Sequence, residues 1–170
     1  RFIDFPLVKM RVIPWLSWCN GMSGYLHYAY NWWFTPSGKS PWEDVGQSGT
    51  YPPGDGFVVY PPQNKKGASP VTSFRWEVFR DGLEDYEYIL LLKQWKDRQK
   101  KYGQSQLRFA AEEPALFDEA SKLLDDVCAA MTSTDNYSRD PAHISSTRYR
   151  IGALLHKISH QTISSARGKL

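Results

Sequence analysis

Residues 24–33 read GYLHYAYNWW, and this stretch decides which fold the sequence predicts. Aromatic residues favour β-strands, so a strand is predicted after Gly24. The preceding residues predict a helix that begins near Asp4 and ends at Asn20-Gly21, with Pro14 as a kink or a break. A helix, a short turn and a strand together form one step of an α/β protein.

Length and composition limit the fold and the partners. The chain has 170 residues, whereas a complete (β/α)₈ barrel typically takes about 250. An aromatic content of 15% argues against disorder. No apolar run approaches the roughly 18 residues of a membrane span, so we expect no membrane-spanning segment. A net charge of +3 without a concentrated basic stripe leads us not to expect nucleic acid as a partner.

The character of the sequence changes after the predicted strand. Residues 34–72 are rich in Gly, Pro and Ser, which indicates a long loop with one apolar run at 57–60. Long loops in compact domains tend to be functional, so this loop is the first place to expect a site. The periodicity that follows predicts three helices, beginning at Thr72 or Ser73, near Glu113-Pro114, and at Asp140-Pro141.

Aromatic and polar side chains crowd the end of the predicted strand and the loop. Aromatic faces pack against the C–H faces of a sugar ring, while Tyr, Trp and Asn groups bond its hydroxyls. A Gly54-Asp55-Gly56 turn could aim a carboxylate at the same cleft, although an ordinary turn is the simpler interpretation. Core packing is the alternative for some of the rings, because alternate strand residues point inward. The candidate substrate-binding residues are Tyr28, Asn31, Trp32, Trp33, Asp55 and Tyr60.

Charged residues on the helix after the loop allow two interpretations. Arg80 and Glu84 are four residues apart, as are Asp81 and Asp85, so each pair lies on one helix face. Paired carboxylates can form a catalytic site. The favoured alternative is a buried ionic network that fixes this helix to the rest of the fold.

Several motifs occur in a specific order: Phe2-Ile3-Asp4-Phe5-Pro6-Leu7, Gly24-Tyr25-Leu26-His27-Tyr28 with Asn31 and Trp33, Pro41-Trp42, residues 54–61, and residues 73–87. In this order they resemble the C-terminal part of glycoside hydrolase family 123, over about residues 1–95. The resemblance implies a retaining N-acetyl-β-hexosaminidase that removes terminal N-acetyl-β-galactosamine by a substrate-assisted mechanism. It also implies an α/β fold: residues 1–102 would be the last helix-strand-loop-helix portion of a (β/α)₈ barrel, and residues 103–170 an α-helical extension.

The resemblance places the catalytic residues outside this sequence. In that family an adjacent Asp-Glu pair on an earlier barrel strand does the chemistry, so we assign no catalytic residue here, not even Asp118-Glu119. We expect no cofactor and no metal site. The expected partners are a glycan with a terminal N-acetylhexosamine and the missing N-terminal barrel part, from the same gene product or a companion chain. The predicted strand would otherwise keep two unpaired edges.

Other interpretations remain open from the sequence. The chain could be a non-catalytic carbohydrate-binding or structural subunit derived from the same fold. The basic residues between Pro141 and Leu170 could bind nucleic acid, although a solvated helix face is the commoner meaning. Enzymes that trim glycans are usually exported, so the resemblance implies an extracellular protein, and Asn136-Tyr137-Ser138 is a lone glycosylation sequon. Cys19 and Cys128 are expected to be buried free thiols rather than a disulfide.

Overall fold

The structure is a computed structural model that describes residues 2–34, 38–46, 48–63, 67–102, 113–133 and 135–167. Within this part lie four α-helices: α1 (Val8–Cys19), α2 (Phe74–Tyr102), α3 (Glu113–Ala129) and α4 (Pro141–Arg167). The described residues contain no strand, and their β-pairing consists of isolated antiparallel bridges at Asn31–Phe57, Tyr60–Val71 and Met131–Tyr137. None of the helices in the described ranges is long and apolar enough to cross a membrane.

The expected fold class is therefore wrong. Residues 24–33 form no strand, and the described residues are helices joined by irregular segments rather than a portion of a (β/α)₈ barrel. A strand is stable only where a neighbouring strand supplies a ladder of hydrogen bonds. Here the backbone makes a few local contacts instead: Trp32 N–H donates to Gly56 O at 2.9 Å, and Val58 N–H donates to Tyr30 O at 2.9 Å. Aromatic β-propensity does not by itself create a sheet.

The three helices expected from residue 72 onward are confirmed. Local capping bonds show why α2 and α4 begin where they do. In α2, Trp76 N–H donates to Ser73 Oγ at 3.3 Å. In α4, Ala142 N–H donates to Asp140 Oδ1 at 2.9 Å, which is the geometry of an N-cap. The expected helical extension over residues 103–170 therefore fits in part: α3 and α4 are helical, the described residues between them are irregular, and residues 103–112 lie outside the described part.

The first helix differs from the expectation at one end only. It begins at Val8 rather than near Asp4, and Pro14 lies inside it. Its C-terminus is the expected one: Gly21 has a φ of +63°, and Met22 N–H donates to Ser17 O at 2.8 Å. A left-handed glycine followed by such a bond is a common way to end a helix.

The chain divides into two compact units. Unit 1 comprises Arg1–Ser17 and Gly21–Leu83, and unit 2 comprises Trp18–Asn20 and Glu84–Leu170. The expected boundary between residues 102 and 103 borders residues outside the described part, and it stays a prediction.

Close helix packing and a short buried apolar run form the core of unit 1. Gly82 of α2 lies directly against the carbonyl oxygen of Arg11 in α1, so any side chain at this position would collide with backbone. The residues 57–59, expected as an extended apolar run, are fully buried. The buried apolar side chains of unit 1 are Val8, Met10, Val12, Trp15, Leu16, Phe57, Val58 and Val59.

A buried ion pair lies within the helical core of unit 2. Asp85 of α2 accepts from Arg148 Nε of α4 at 2.9 Å, and its side chain is inaccessible to solvent. The same guanidinium lies 4.5 Å from the centre of the Tyr88 ring. This contact is of the kind expected for the charged residues of α2, namely an ionic contact that fixes the helix. The apolar core around it contains Ile89, Leu92, Leu116, Ala120, Leu123, Val127, Ile144, Ile151 and Leu154.

The cysteines form a disulfide, so the expectation of free thiols is wrong. Cys19 and Cys128 are bonded, with Cα atoms 5.3 Å apart and a sequence separation of 109. Both residues belong to unit 2. Two helix-like segments with apolar neighbours look the same in sequence whether or not they meet in space, so the pairing could not be read from the spacing.

Replacing both cysteines by serine should lower the free energy of unfolding by about 2–5 kcal/mol, because the cross-link restricts the unfolded chain. Urea denaturation followed by circular dichroism measures the loss, and adding a reductant to the unaltered protein should reproduce it. A thiol titration that finds two free thiols in the denatured, unreduced chain would contradict the disulfide.

The two aspartates Asp85 and Asp97 of α2 provide a matched comparison. Asp85→Asn should destabilise unit 2 by about 2–4 kcal/mol, because it leaves Arg148 without its buried carboxylate. Asp97→Asn removes an exposed pair with Lys93 and should change stability by no more than about 0.5 kcal/mol after solvent screening. Equal effects of the two substitutions in thermal unfolding would show that the Asp85 ion pair has no special role.

Candidate functional site

Arg75, in the first turn of α2, joins several segments of unit 1. Its side chain is buried, at 4% exposure, and Nη1 donates to Gly54 O at 2.9 Å. The guanidinium also bonds the Tyr60 hydroxyl and lies 5.3 Å from the centre of the Phe57 ring. Burial lowers the pKa of Arg75 from its ordinary value, and the interaction with Tyr60 opposes that shift. The beginning of α2 is thereby fixed against the segment 54–60.

The Gly54-Asp55-Gly56 turn is shaped for this contact. Gly54 and Gly56 have φ values of +79° and +78°, a conformation that L side chains rarely adopt. A Cβ on Gly54 would lie 2.6 Å from Arg75 Nη1, and a Cβ on Gly56 would lie 2.6 Å from the Trp32 ring. Asp55 Oδ1 accepts from Gly56 N–H at 3.1 Å. Both glycines are therefore required by backbone conformation and by close contacts.

Arg75 and Tyr60 also line a pocket of about 580 Å³ in unit 1. Its volume is in the range of small-ligand sites, which are mostly apolar with a few polar groups. The rings of Trp42 and Tyr60 stack with centres 4.4 Å apart and planes inclined by 29°. Trp42 Nε1 donates to Pro61 O at 2.8 Å, which fixes the indole orientation. The lining residues are Ile3, Leu7, Trp42, Tyr60, Thr72, Ser73, Phe74, Arg75 and Glu77.

Polar groups are placed at fixed positions in this pocket. Thr72 Oγ1 donates to Glu77 Oε1 at 2.5 Å, and Arg80 Nη1 pairs with Glu77 Oε2 at 2.8 Å. Ser73 Oγ donates to Val58 O at 2.5 Å. An apolar pocket whose carboxylate and guanidinium are already oriented can recognise a ligand that has both a C–H face and hydrogen-bonding groups.

A second group of aromatic residues lies in the same unit. The Trp32 ring contacts Tyr28 at 5.9 Å and Tyr51 at 5.7 Å between ring centres. Tyr28 is 66% exposed, so much of its ring is open to solvent. These three rings could present a surface for stacking, apart from the residues that line the pocket.

The six residues expected to bind substrate fall into separate positions. Tyr60 lines the pocket, whereas Tyr28 and Trp32 belong to the second aromatic group. Trp33 Nε1 donates to Val59 O at 2.9 Å, and Asp55 holds its own turn. Asn31 is exposed and forms the bridge to Phe57. Their role in binding stays a prediction.

Sequence reasoning did not select Trp42, Arg75 or Glu77 as binding residues. Trp42 belongs to an aromatic-rich loop, but its stacking partner Tyr60 is 18 positions away, and no local pattern reveals the contact. Arg75 and Glu77 belong to the first turn of a helix, where charged residues are usually solvated. Only the placement of residues 54–60 against α2 gives them a shared site.

Residues 1–92 match the family model of the glycoside hydrolase 123 catalytic domain. The chain belongs to the glycoside hydrolase 123 family. The expected resemblance over about residues 1–95 is thereby confirmed. No curated protein matches this sequence. Membership in a glycoside hydrolase family implies that the substrate class is a glycan.

The glycoside hydrolase 123 match ends within α2, so α3 and α4 lie beyond it. Asp118 and Glu119, the adjacent acidic pair on α3, are both exposed. In the described ranges, no three His, Cys, Asp or Glu side chains are grouped so that they could hold a metal ion. The pocket in unit 1 is therefore the candidate site of this family member.

Gly54→Ala should destabilise unit 1 by about 2–4 kcal/mol and distort the pocket, because the added Cβ meets Arg75 and Ile3 as well as an unfavourable φ. Gly49→Ala is the matched control: its φ is +83°, but the space around it is open, so only about 1 kcal/mol of backbone strain is expected. Urea denaturation and near-ultraviolet circular dichroism measure both effects. Equal losses in the two variants would show that contact with Arg75 is unimportant.

Proposed function

We propose that this chain supplies glycan-binding side chains to an N-acetyl-β-hexosaminidase, of the kind that acts on terminal N-acetyl-β-galactosamine. The observation that carries the proposal is the pocket of about 580 Å³ with its stacked Trp42 and Tyr60. The family membership supports a glycan as the ligand. The family membership does not specify the sugar or its linkage, so N-acetylgalactosamine and the β-linkage belong to the proposal.

The pocket suits an N-acetylated sugar in its chemistry. Aromatic faces favour contact with C–H groups, which the sugar ring and the acetamido methyl both provide. Thr72, Glu77 and Arg75 place a hydroxyl, a carboxylate and a guanidinium at the same pocket. In a substrate-assisted retaining mechanism the acetamido oxygen of the substrate is the nucleophile, so the sugar must be held in one orientation. Holding it is the role that we propose for this chain.

We propose that the catalytic carboxylates come from polypeptide outside this sequence, in the same gene product or in a companion chain. The irregular segment 21–34 of unit 1 supports a further polypeptide contact. In this segment Leu26 is 93% exposed and Phe34 is 86% exposed. Exposed apolar side chains this close in sequence are typical of surfaces that another segment covers.

An extracellular location is also part of the proposal. The Cys19–Cys128 disulfide supports it, because structural disulfides form and persist in oxidising compartments. Nucleic acid is not proposed as a partner. Two of the basic residues near the C-terminus already have acidic partners: Arg148 binds Asp85, and Arg150 Nη2 binds Asp126 at 3.1 Å.

Trp42→Ala should weaken the binding of N-acetylgalactosamine at least about tenfold, because it removes one ring of the stacked pair. Tyr149→Ala is the matched control, since Tyr149 is an exposed aromatic residue of unit 2 and should leave binding unchanged. N-acetylgalactosamine is titrated into both variants and the unaltered chain, and calorimetry or sugar-detected magnetic resonance measures the affinity.

The same titration with galactose, which has a hydroxyl in place of the acetamido group, tests whether that group matters, and we expect weaker binding. If the unaltered chain and the complete enzyme both fail to bind N-acetylhexosamines, the proposed function is wrong. If the complete enzyme binds the sugar but does not cleave its glycosides, the non-catalytic carbohydrate-binding interpretation replaces it.

A further inference from the structure

The connection between α3 and α4 contains an asparagine whose side chain is open to solvent. Asn136 is exposed, and it is followed by Tyr137 and Ser138. This matches the Asn-X-Ser/Thr sequence that N-linked glycosylation requires. Asn20, Asn31 and Asn64, the other three asparagines, lack Ser or Thr two positions later. The chain therefore offers a single acceptor sequence.

Backbone contacts hold this connection, while the side-chain amide of Asn136 projects from it. Asn136 O accepts from Thr132 Oγ1 at 2.6 Å and from Ser133 N–H at 3.1 Å. Asn136 N–H donates to Ser133 Oγ at 3.1 Å. Tyr137 forms the antiparallel bridge to Met131. A group attached to the Asn136 amide would displace no buried side chain.

The disulfide is an independent observation that points to the same compartment. N-linked oligosaccharides are added in the secretory pathway, where disulfides also form. Cys128 belongs to the helix that leads into this connection, and it is bonded to Cys19. The inference rests on the extracellular location included in the proposed function, and it does not depend on sugar binding by unit 1.

We propose that Asn136 carries an N-linked oligosaccharide. The donor is a lipid-linked oligosaccharide diphosphate. A bond forms between Asn136 Nδ2 and the anomeric carbon of the first sugar, while the bond from that carbon to the diphosphate oxygen breaks. The amide gives up one proton and the lipid diphosphate leaves with the bonding electrons, so no oxidant or reductant is involved. The product is a bulky hydrophilic group on the surface of unit 2.

One tryptic peptide of the native protein reports both the disulfide and the oligosaccharide. Cleavage after Lys122 and Arg139 releases residues 123–139, which contain Cys128 and Asn136. Without reduction this peptide should be linked to the peptide 12–39 that contains Cys19. It should also carry the mass of an oligosaccharide, and an amide-cleaving glycosidase in heavy-oxygen water should convert Asn136 to a labelled Asp.

The outcomes distinguish the glycosylation of Asn136 from the extracellular location. A disulfide-linked peptide with unmodified Asn136 overturns the glycosylation proposal and leaves the location standing. A reduced and unmodified peptide overturns both. The binding of N-acetylhexosamine by unit 1 is measured separately and is affected by neither result.

Variants of the full chain, secreted from a eukaryotic cell, test the acceptor sequence itself. Asn136→Gln and Ser138→Ala should lose the oligosaccharide completely, whereas Ser138→Thr keeps the acceptor sequence and should retain it. Modification of the Asn136→Gln protein, or its absence from both the unaltered and Ser138→Thr proteins, would overturn the proposal. Circular dichroism of all secreted variants verifies that they are folded.

Discussion

A single guanidinium at the beginning of α2 determines how unit 1 is arranged. Arg75 is buried, and it bonds the carbonyl of Gly54 and the hydroxyl of Tyr60 while lying over Phe57. A hydrogen bond that involves a charged group contributes about 1.5–3 kcal/mol, and a buried charge that loses its partners costs more. The turn at residues 54–56 and the ring of Tyr60 are thus fixed by one side chain.

The pocket follows from this arrangement. Once Tyr60 is held by Arg75, its ring is available to stack with Trp42, whose indole is fixed by Pro61. Glu77, two residues further along α2, is oriented by Thr72 and Arg80. The proposed glycan-binding role of unit 1 therefore depends on the contact between α2 and the 54–60 segment more than on residues 24–33.

Local signals in the sequence were sufficient for the helices. Ser73 and Asp140 cap α2 and α4 through bonds that span only two or three residues, so the sequence around each cap contains the necessary information. The family resemblance was equally readable, because ordered motifs at defined spacing persist in one dimension. The helix positions and the family could therefore be predicted without knowledge of distant contacts.

Contacts between distant residues were not readable in the same way. Residues 24–33 have the composition of a strand, but a strand requires a hydrogen-bonded neighbour, and the described residues provide only isolated bridges. Cys19 and Cys128 are separated by 109 positions, and Arg75 meets Gly54 across 21. Of the residues expected to bind substrate, Tyr60 alone is also among those that line the pocket. Pairings of this kind are decided by packing, which the spacing of residues does not encode.

The central claim is that the Trp42–Tyr60 pocket holds an N-acetylated sugar. The most direct test is a crystal structure of the protein grown with N-acetylgalactosamine. The account predicts that the sugar's C–H face lies against the pocket rings and that its polar groups contact Thr72, Arg75 or Glu77. A sugar bound at another surface, with this pocket occupied by solvent alone, would contradict the account.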